Sequence, residues 1–279
     1  MSVQKSGFGD YGARAKAYAD GRLKYPNWIF ERLMDKIAEV EKLAGDTSGE
    51  EGFLGASVLD VACGTGIGTR QLWDYQLLGF GVDQDPRMIK IALKTQVNMS
   101  GILSGFTAVP PYMVASVSDI PSEPRVHAIT TFGGLYWFHK VPGSMGSIWN
   151  KLSRGGVFMA ADEHHLYHER KYANIKRRYI EGEVPAPDKS FFPAKVLEHH
   201  GFNDIDTHER DLQKTLSAGR AYKYLLSASW INLVPSKRIP ALYKELRALV
   251  QSEKDATGRV QWRFRFTATF GTKGPRGGL

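Results

Sequence analysis

Val58-Leu59-Asp60-Val61-Ala62-Cys63-Gly64-Thr65-Gly66-Ile67-Gly68 is the stretch whose reading decides the fold. Residues 57–61 form an apolar run with the character of a buried strand, small residues occupy 62–66, and a helix is expected over 66–75. Small residues at a strand-to-helix turn let the backbone approach a ligand closely, and glycine takes positive φ without a steric penalty. The spacing Gly64-x-Gly66-x-Gly68 departs from the G-x-G-x-x-G dinucleotide fingerprint, so the loop alone does not name its ligand.

Outward from the loop, strands and helices alternate. Strands are expected over 77–83, 112–116, 128–132 and 156–161, and helices over 86–95 and 144–152, with Pro86 in a first turn where helices accept it. Strands separated by helices imply right-handed crossovers and a mostly parallel sheet. Upstream, Ile29, Phe30, Leu33, Ile37, Val40 and Leu43 fall on one stripe of a helix over 28–44, and the polar stretch 46–52 reads as a loop. Downstream the pattern changes. A charged helix (165–182), a Pro-rich connection (183–193), a short helix (192–200) and a strand (203–209) lead to helices over 219–228 and 240–253. Residues 261–270 alternate like a strand, the seventh, and 272–279 read as a flexible Gly/Pro/basic tail.

Composition narrows the class. The chain has 279 residues, 42% of them hydrophobic, and no apolar run approaches the roughly 20 residues that span a bilayer. The first 18 residues lack the apolar core of a signal peptide, and the single cysteine precludes an internal disulfide, so a cytoplasmic protein is expected. The net charge of +8 is uneven: +1 over residues 1–160 and +7 over 161–279. That asymmetry reads as a solvated basic surface or as a face that meets an anion.

Two acids stand where a nucleoside needs acceptors. Asp83 ends the second strand, 23 residues after Asp60, where a carboxylate can accept from both ribose hydroxyls; Asp119 follows the third, where it can accept from an adenine amino group while Ile120 faces the ring. Either is otherwise a helix cap or turn residue.

At this point a family resemblance becomes specific. VLDVACGTGIGT (58–69) resembles motif I of the class I S-adenosylmethionine-dependent methyltransferases, with Ala62 where the family has glycine. GVDQDPRMI (81–89), SVSDIP (116–121), TTFGGLYWFH (130–139) and KLSRGGVF (151–158) resemble the family's later elements in order. Phe8-x-x-Tyr11 with Tyr18-x-x-x-Arg22-x-x-Tyr25-Pro26 resembles the lead-in of the trans-aconitate and related small-molecule methyltransferases, with Leu23 in place of a proline. The resemblance implies an α/β, Rossmann-like, seven-stranded and mostly parallel sheet with helices on both faces and a helical cap. The implied organisation is an N-terminal helical arm over the cofactor (1–50), a cofactor-binding core (51–164), an acceptor cap with the last strands (165–270) and a flexible tail (271–279).

The cofactor implied is S-adenosyl-L-methionine, held by Tyr18, Arg22, Asp60, Ala62, Gly64, Gly66, Asp83, Gln84, Met88, Ser118, Asp119, Ile120, Thr131 and Phe132. Tyr18 can cover the sulfonium with its ring face and Arg22 can pair with the methionine carboxylate; a packed arm with a surface arginine is the alternative. No metal is expected, because a His164/His168 helical pair lacks a third ligand. His164 or His165, just past the fifth strand, are the candidate bases, against unremarkable histidines at a solvated strand end. Tyr136, Trp137, Trp230 and Arg263 are candidate acceptor contacts, with core packing or solvent exposure as their alternatives. Sulfonium methyl transfer needs mainly orientation and exclusion of water, so a strong nucleophile requires no base.

The expected function is methyl transfer to a small molecule, which can be anionic, at a carboxylate or hydroxyl oxygen. An RNA or protein methyltransferase using the basic second half is the first alternative, though no RNA-binding module and no N/D-P-P-Y/F motif is present. A protein of this fold that binds the cofactor without transferring methyl is the second.

Overall fold

The computed structural model describes residues 9–43, 55–96, 111–166, 169–180 and 191–274. Its helices are α1 (Ala15–Gly21), α2 (Asn27–Leu43), α3 (Ile67–Asp74), α4 (Pro86–Gln96), α5 (Leu135–Phe138), α6 (Ser144–Lys151), α7 (Glu169–Tyr179), α8 (Pro193–His199), α9 (Ala218–Leu226) and α10 (Ile239–Gln251). Its strands are β1 (Ser57–Val61), β2 (Leu78–Asp83), β3 (Tyr112–Val114), β4 (Val126–Phe132), β5 (Leu152–His165), β6 (Phe202–Ser217) and β7 (Arg259–Lys273).

The strands form one seven-stranded sheet in the order β3-β2-β1-β4-β5-β7-β6. Pairings β1 with β2, β1 with β4, β2 with β3 and β4 with β5 are parallel. Across β6 and β7, Thr272 bonds Asn203 and Asp204, Thr207 bonds Thr269, and Arg263 bonds Asp211, so one numbering rises as the other falls and this pair is antiparallel. The chain starts at β1, builds outward to β3, then returns to lay β4 on the other side of β1. This reversal opens a crevice beyond the carboxyl ends of β1 and β4, where open α/β sheets bind ligands. Successive residues of β1 from Val58 to Val61 are all buried, so both faces of the sheet are covered.

The described residues belong to two compact units, each assembled from three separate stretches: Lys24–Glu163 with Lys189–Glu209 and Phe266–Leu279, and Met1–Leu23 with His164–Asp188 and Arg210–Arg265. In the first, Leu59, Val61, Ile129 and Phe158 from the sheet pack with Met145 and Ile148 of α6, while Phe30 of α2 stacks on Phe132 and Tyr75. In the second, α1 meets α9 so closely that a β-carbon on Gly21 would lie 2.4 Å from the Tyr224 amide nitrogen. Its aromatic core gathers His165, Tyr224, Trp262 and Phe264.

Several boundaries differ from the sequence reading, each for a physical reason. β3 ends at Val114, because Ser116 caps a 3-10 turn over Val117–Asp119 by accepting from the Ser118 amide. β5 runs to His165, so both candidate histidines lie within the strand, not past it, and the helix expected from 165 starts at Glu169. With His164 on a strand, the helical geometry required for a His164/His168 metal pair is lost; His168 lies outside the described residues. β6 is sixteen residues long and mostly polar, as suits a strand at the edge of a sheet, and hydropathy reveals only part of it. Thr272 and Lys273, read as tail, complete β7 and are buried. The Lys273 ammonium donates to the carbonyls of Trp149 (2.6 Å) and Leu152 (2.7 Å), placing a cation on the orphan carbonyls that close α6. The rest of the expected tail, and most of the Pro-rich connection, lie outside the described residues.

Candidate functional site

The loop between β1 and α3 is built by three left-handed residues: Ala62 (φ +54°), Gly64 (+57°) and Gly66 (+74°). The Cys63 amide donates to the Val82 carbonyl (3.0 Å) and the Gly66 amide to the Cys63 carbonyl (2.9 Å), so the loop folds over the end of β2. Two glycines are needed for space as well. A β-carbon at Gly66 would lie 2.5 Å from the Tyr112 hydroxyl, and one at Gly68 2.1 Å from the Phe132 ring.

Ala62 occupies the one left-handed position of the loop that lacks glycine. An L-residue there carries roughly 1–2 kcal/mol of strain, whereas glycine would add about 0.4–1 kcal/mol of unfolded-state entropy. Ala62→Gly is therefore expected to stabilise the protein by about 0.5 kcal/mol in urea unfolding. A loss of stability would mean that the packing of the methyl group outweighs its strain; a β-carbon on Gly134 would sit 2.8 Å from it.

Asp83 closes β2 beside the loop. One carboxylate oxygen accepts from the Gly64 amide (2.8 Å) and the other from the Asp85 amide (2.8 Å). A carboxylate has about four acceptor positions, so each oxygen keeps capacity for a further donor. Burial pushes the Asp83 carboxyl above the usual carboxylate range, against the two amide bonds that favour its charge. Gln84 next to it is exposed and Met88 is buried.

Asp60 is placed differently. It has no exposed surface; its oxygens accept from Thr69 (2.6 Å) and Thr130 (3.4 Å), tying β1 to α3 and β4 beneath the loop. Asp119 is exposed and accepts from the Ser118 hydroxyl (3.0 Å), whose oxygen also bonds Ser116, while Ile120 beside it is buried. Thr131 is buried, and its hydroxyl has no hydrogen-bond partner among the described residues; the same holds for Thr65 in the loop. Phe132 lies under Tyr25, ring centroids 4.8 Å apart. Tyr25 is itself fixed by Gln71 of α3, which accepts from its amide (2.8 Å) and donates to its carbonyl (2.9 Å).

Asp60, Ala62, Gly64, Gly66, Asp83, Gln84, Met88, Ser118, Asp119, Ile120, Thr131 and Phe132 thus belong to one unit. Tyr18 and Arg22 belong to the other, where the Arg22 guanidinium lies 5.0 Å from the rings of both Tyr18 and Tyr224 and donates to the Ser227 hydroxyl (3.0 Å). His164 is exposed, and His165 sits 4.5 Å from the Trp262 ring and 4.9 Å from that of Phe264. Trp230 is buried and donates to the Tyr172 hydroxyl (2.9 Å). Arg263 pairs with Asp211 (3.3 Å), as does Arg265 (2.8 Å). Tyr136 and Trp137 form a half-exposed aromatic cluster with Phe191.

Two residues at this edge were not singled out as site residues from sequence, Tyr25 and Asp162. Tyr25 was visible as part of Tyr25-Pro26 and Asp162 as the first acid after the β5 apolar run; neither signal marks which way a side chain points.

Residues 59–160 match the methyltransferase domain family. The chain carries a class I S-adenosylmethionine-dependent methyltransferase domain. None of the curated proteins matches the chain in sequence. Among solved structures, a putative type II methyltransferase from Anaeromyxobacter dehalogenans superposes with a TM-score of 0.54 at 16% identity, covering 91% of this chain and 99% of that one; it shares the fold. A phosphoethanolamine N-methyltransferase 2 from Haemonchus contortus, solved with phosphomonomethylethanolamine and S-adenosylhomocysteine, gives a TM-score of 0.43 at 16% identity. That match covers 84% of this chain, which spans 52% of the Haemonchus protein. Among the described residues of the methyltransferase, no helix is long and apolar enough to cross a membrane.

Proposed function

We propose that the protein transfers a methyl group from S-adenosylmethionine to an oxygen of a small molecule, chiefly by proximity and orientation. The observation that carries the cofactor part is Asp83, a half-buried carboxylate anchored to the glycine loop with acceptor capacity left over. Its two remaining positions suit the vicinal hydroxyls of a ribose. Ser118, Asp119 and Ile120 suit an adenine edge and face, and the unmatched hydroxyls of Thr65 and Thr131 suit further polar atoms of the same ligand. Asp60 acts as a positioning residue beneath the loop. When bound, the cofactor supplies an activated methyl group on a sulfonium; the protein holds the acceptor in line with it and keeps water out.

The fate of the basic residues supports a small acceptor over RNA. Arg263 and Arg265 are engaged by Asp211, Arg178 by Glu245, Lys171 by Glu253 and Lys223 by Asp20. Charges neutralised within the fold release few counterions on meeting a polyanion. The reading places the enzyme in the cytoplasm, where the buried thiol of Cys63 stays reduced.

Calorimetry with S-adenosylhomocysteine should give saturable binding. Incubation with methyl-labelled cofactor and a cell extract should place label in the small-molecule fraction. Label in RNA or protein would overturn the acceptor assignment, and absence of binding at high protein concentration would overturn the cofactor site.

A further inference from the structure

We infer that Asp162 is the group that receives the proton of the acceptor, which makes that acceptor a hydroxyl and not a carboxylate. The inference rests on the methyl-transfer reading above and concerns the same site. Asp162 is the residue after the last paired position of β4 and β5, Phe132 with Ala161, so it stands at the carboxyl end of the sheet beside the loop that follows β4. That loop begins at Gly133, whose amide donates to the Ala161 carbonyl (2.7 Å) and which takes a positive φ of 75°. A β-carbon there would lie 3.7 Å from the Tyr25 hydroxyl and 3.9 Å from an Asp162 carboxylate oxygen. A hydroxyl and a carboxylate therefore flank a position that has no side chain of its own, above the strand that ends in Thr131 and Phe132. The next residue, Gly134, abuts Ala62 and the Val61 carbonyl, so this spot adjoins the cofactor loop.

Asp162 has no hydrogen-bond or ion-pair partner among the described residues; the residue keeps some exposed surface while its carboxyl is closely surrounded by protein. Burial alone pushes its carboxyl up to about 7; the Tyr25 phenol is the titratable group that flanks the same spot above Gly133, and no charged side chain among the described residues acts on it. An acid poised near neutrality can accept a proton and return it to water at working pH. A carboxylate acceptor set against it would meet a like charge in a poorly solvated place, whereas a hydroxyl can donate to it.

The chemistry balances without a further reactant. The acceptor's O–H bond breaks and its proton goes to a carboxylate oxygen of Asp162, while the acceptor oxygen forms a bond to the methyl carbon. The electron pair of the old carbon–sulfur bond remains on sulfur, which becomes a neutral thioether. Asp162 then loses its proton to solvent.

The test compares wild type with Asp162→Asn, which keeps shape and removes the base. Calorimetry with S-adenosylhomocysteine should give affinities within about threefold, showing that the variant folds and the cofactor site is intact. Carbon-13 NMR of aspartate-labelled protein should show two carboxyls titrating near 7, those of Asp60 and Asp162, of which one vanishes in the variant. With phenol, catechol and a set of simple aliphatic alcohols as probes, kcat/KM for wild type should rise through that pH. The variant should lose about 10²–10⁴-fold together with that limb. 4-Nitrophenol, already ionised at pH 8, should be much less affected. Retention of wild-type rates on phenol by Asp162→Asn overturns the inference. So does the absence of transfer to every hydroxyl probe while S-adenosylhomocysteine still binds, which leaves the cofactor reading standing. Failure of both proteins to bind S-adenosylhomocysteine overturns that reading and the inference with it.

Discussion

Asp83→Ala is expected to weaken S-adenosylhomocysteine binding by roughly 10²–10⁴-fold. Each hydrogen bond from a neutral donor to a charged acceptor contributes about 1.5–3 kcal/mol, and two ribose hydroxyls lose theirs together. Each 1.4 kcal/mol is a factor of ten. A second loss compounds the first. The Gly64 amide is held by the same carboxylate at 2.8 Å, so the glycine loop gives up an anchor at its left-handed turn. Asp83→Asn separates the two contributions, because an amide oxygen can still accept from one donor while the second oxygen is gone; an intermediate affinity is expected. Calorimetry checks both, with thermal unfolding confirming that each variant is folded. An Asp83→Ala affinity within about threefold of wild type would remove the ribose assignment. Since burial raises the Asp83 carboxyl, binding should also weaken as pH falls through that raised value, and Asp83→Asn should lose this dependence.

Stability is expected to fall as pH rises from about 4 to about 7, and Asp60→Asn should abolish much of that fall. Asp60 has no exposed surface, and burial outweighs its hydrogen bonds from Thr69 and Thr130, pushing its carboxyl from the ordinary 3.8 to about 7. Between those values the folded protein holds a proton that the unfolded chain has released. The contribution to stability is complete below the unfolded value and is lost as pH rises through the folded one. Each unit of separation corresponds to about 1.4 kcal/mol, so the wild type should give up on the order of 2–4 kcal/mol over this window through Asp60. Asp162, also raised to about 7, acts in the same sense. At pH 8 Asp60→Asn should exceed wild type by a similar amount, read as a rise of several degrees in Tm. Below about pH 4 the two should differ little. A wild-type Tm that climbs between pH 5 and pH 8 would contradict the burial-driven shift.

Some of this molecule was legible before its structure. The residues 57–61 strand and the helices of 67–74, 86–96 and 144–151 were read almost to their ends, because apolar periodicity and small-residue turns are local signals. β6 and β7 were read short, since their ends are polar and are held extended by cross-strand partners, such as Thr272 on Asp204, that no local window contains. The histidines illustrate the same limit. Being next to an apolar strand end made His164 and His165 look available, yet His165 is enclosed by Tyr224, Trp262 and Phe264, all distant in sequence.

By itself, the sequence determined the chemistry of the β1–α3 turn and the order of strands and helices that follows it. Both depend on residue type and near-neighbour spacing: glycine for positive φ, period-two and period-3.6 hydrophobicity for the elements. Only the tertiary structure decided which carboxylate does what. Asp60, Asp83 and Asp162 are equivalent as letters. Burial against two threonines makes the first a strut, an anchor to Gly64 with spare lone pairs suits the second to a ligand, and a poorly solvated place beside Gly133 sets the third at the carboxyl end of the sheet. A carboxylate's role is fixed by its solvation and its hydrogen-bond partners, and those are assembled from β1, β2, β4 and β5 only when the sheet closes.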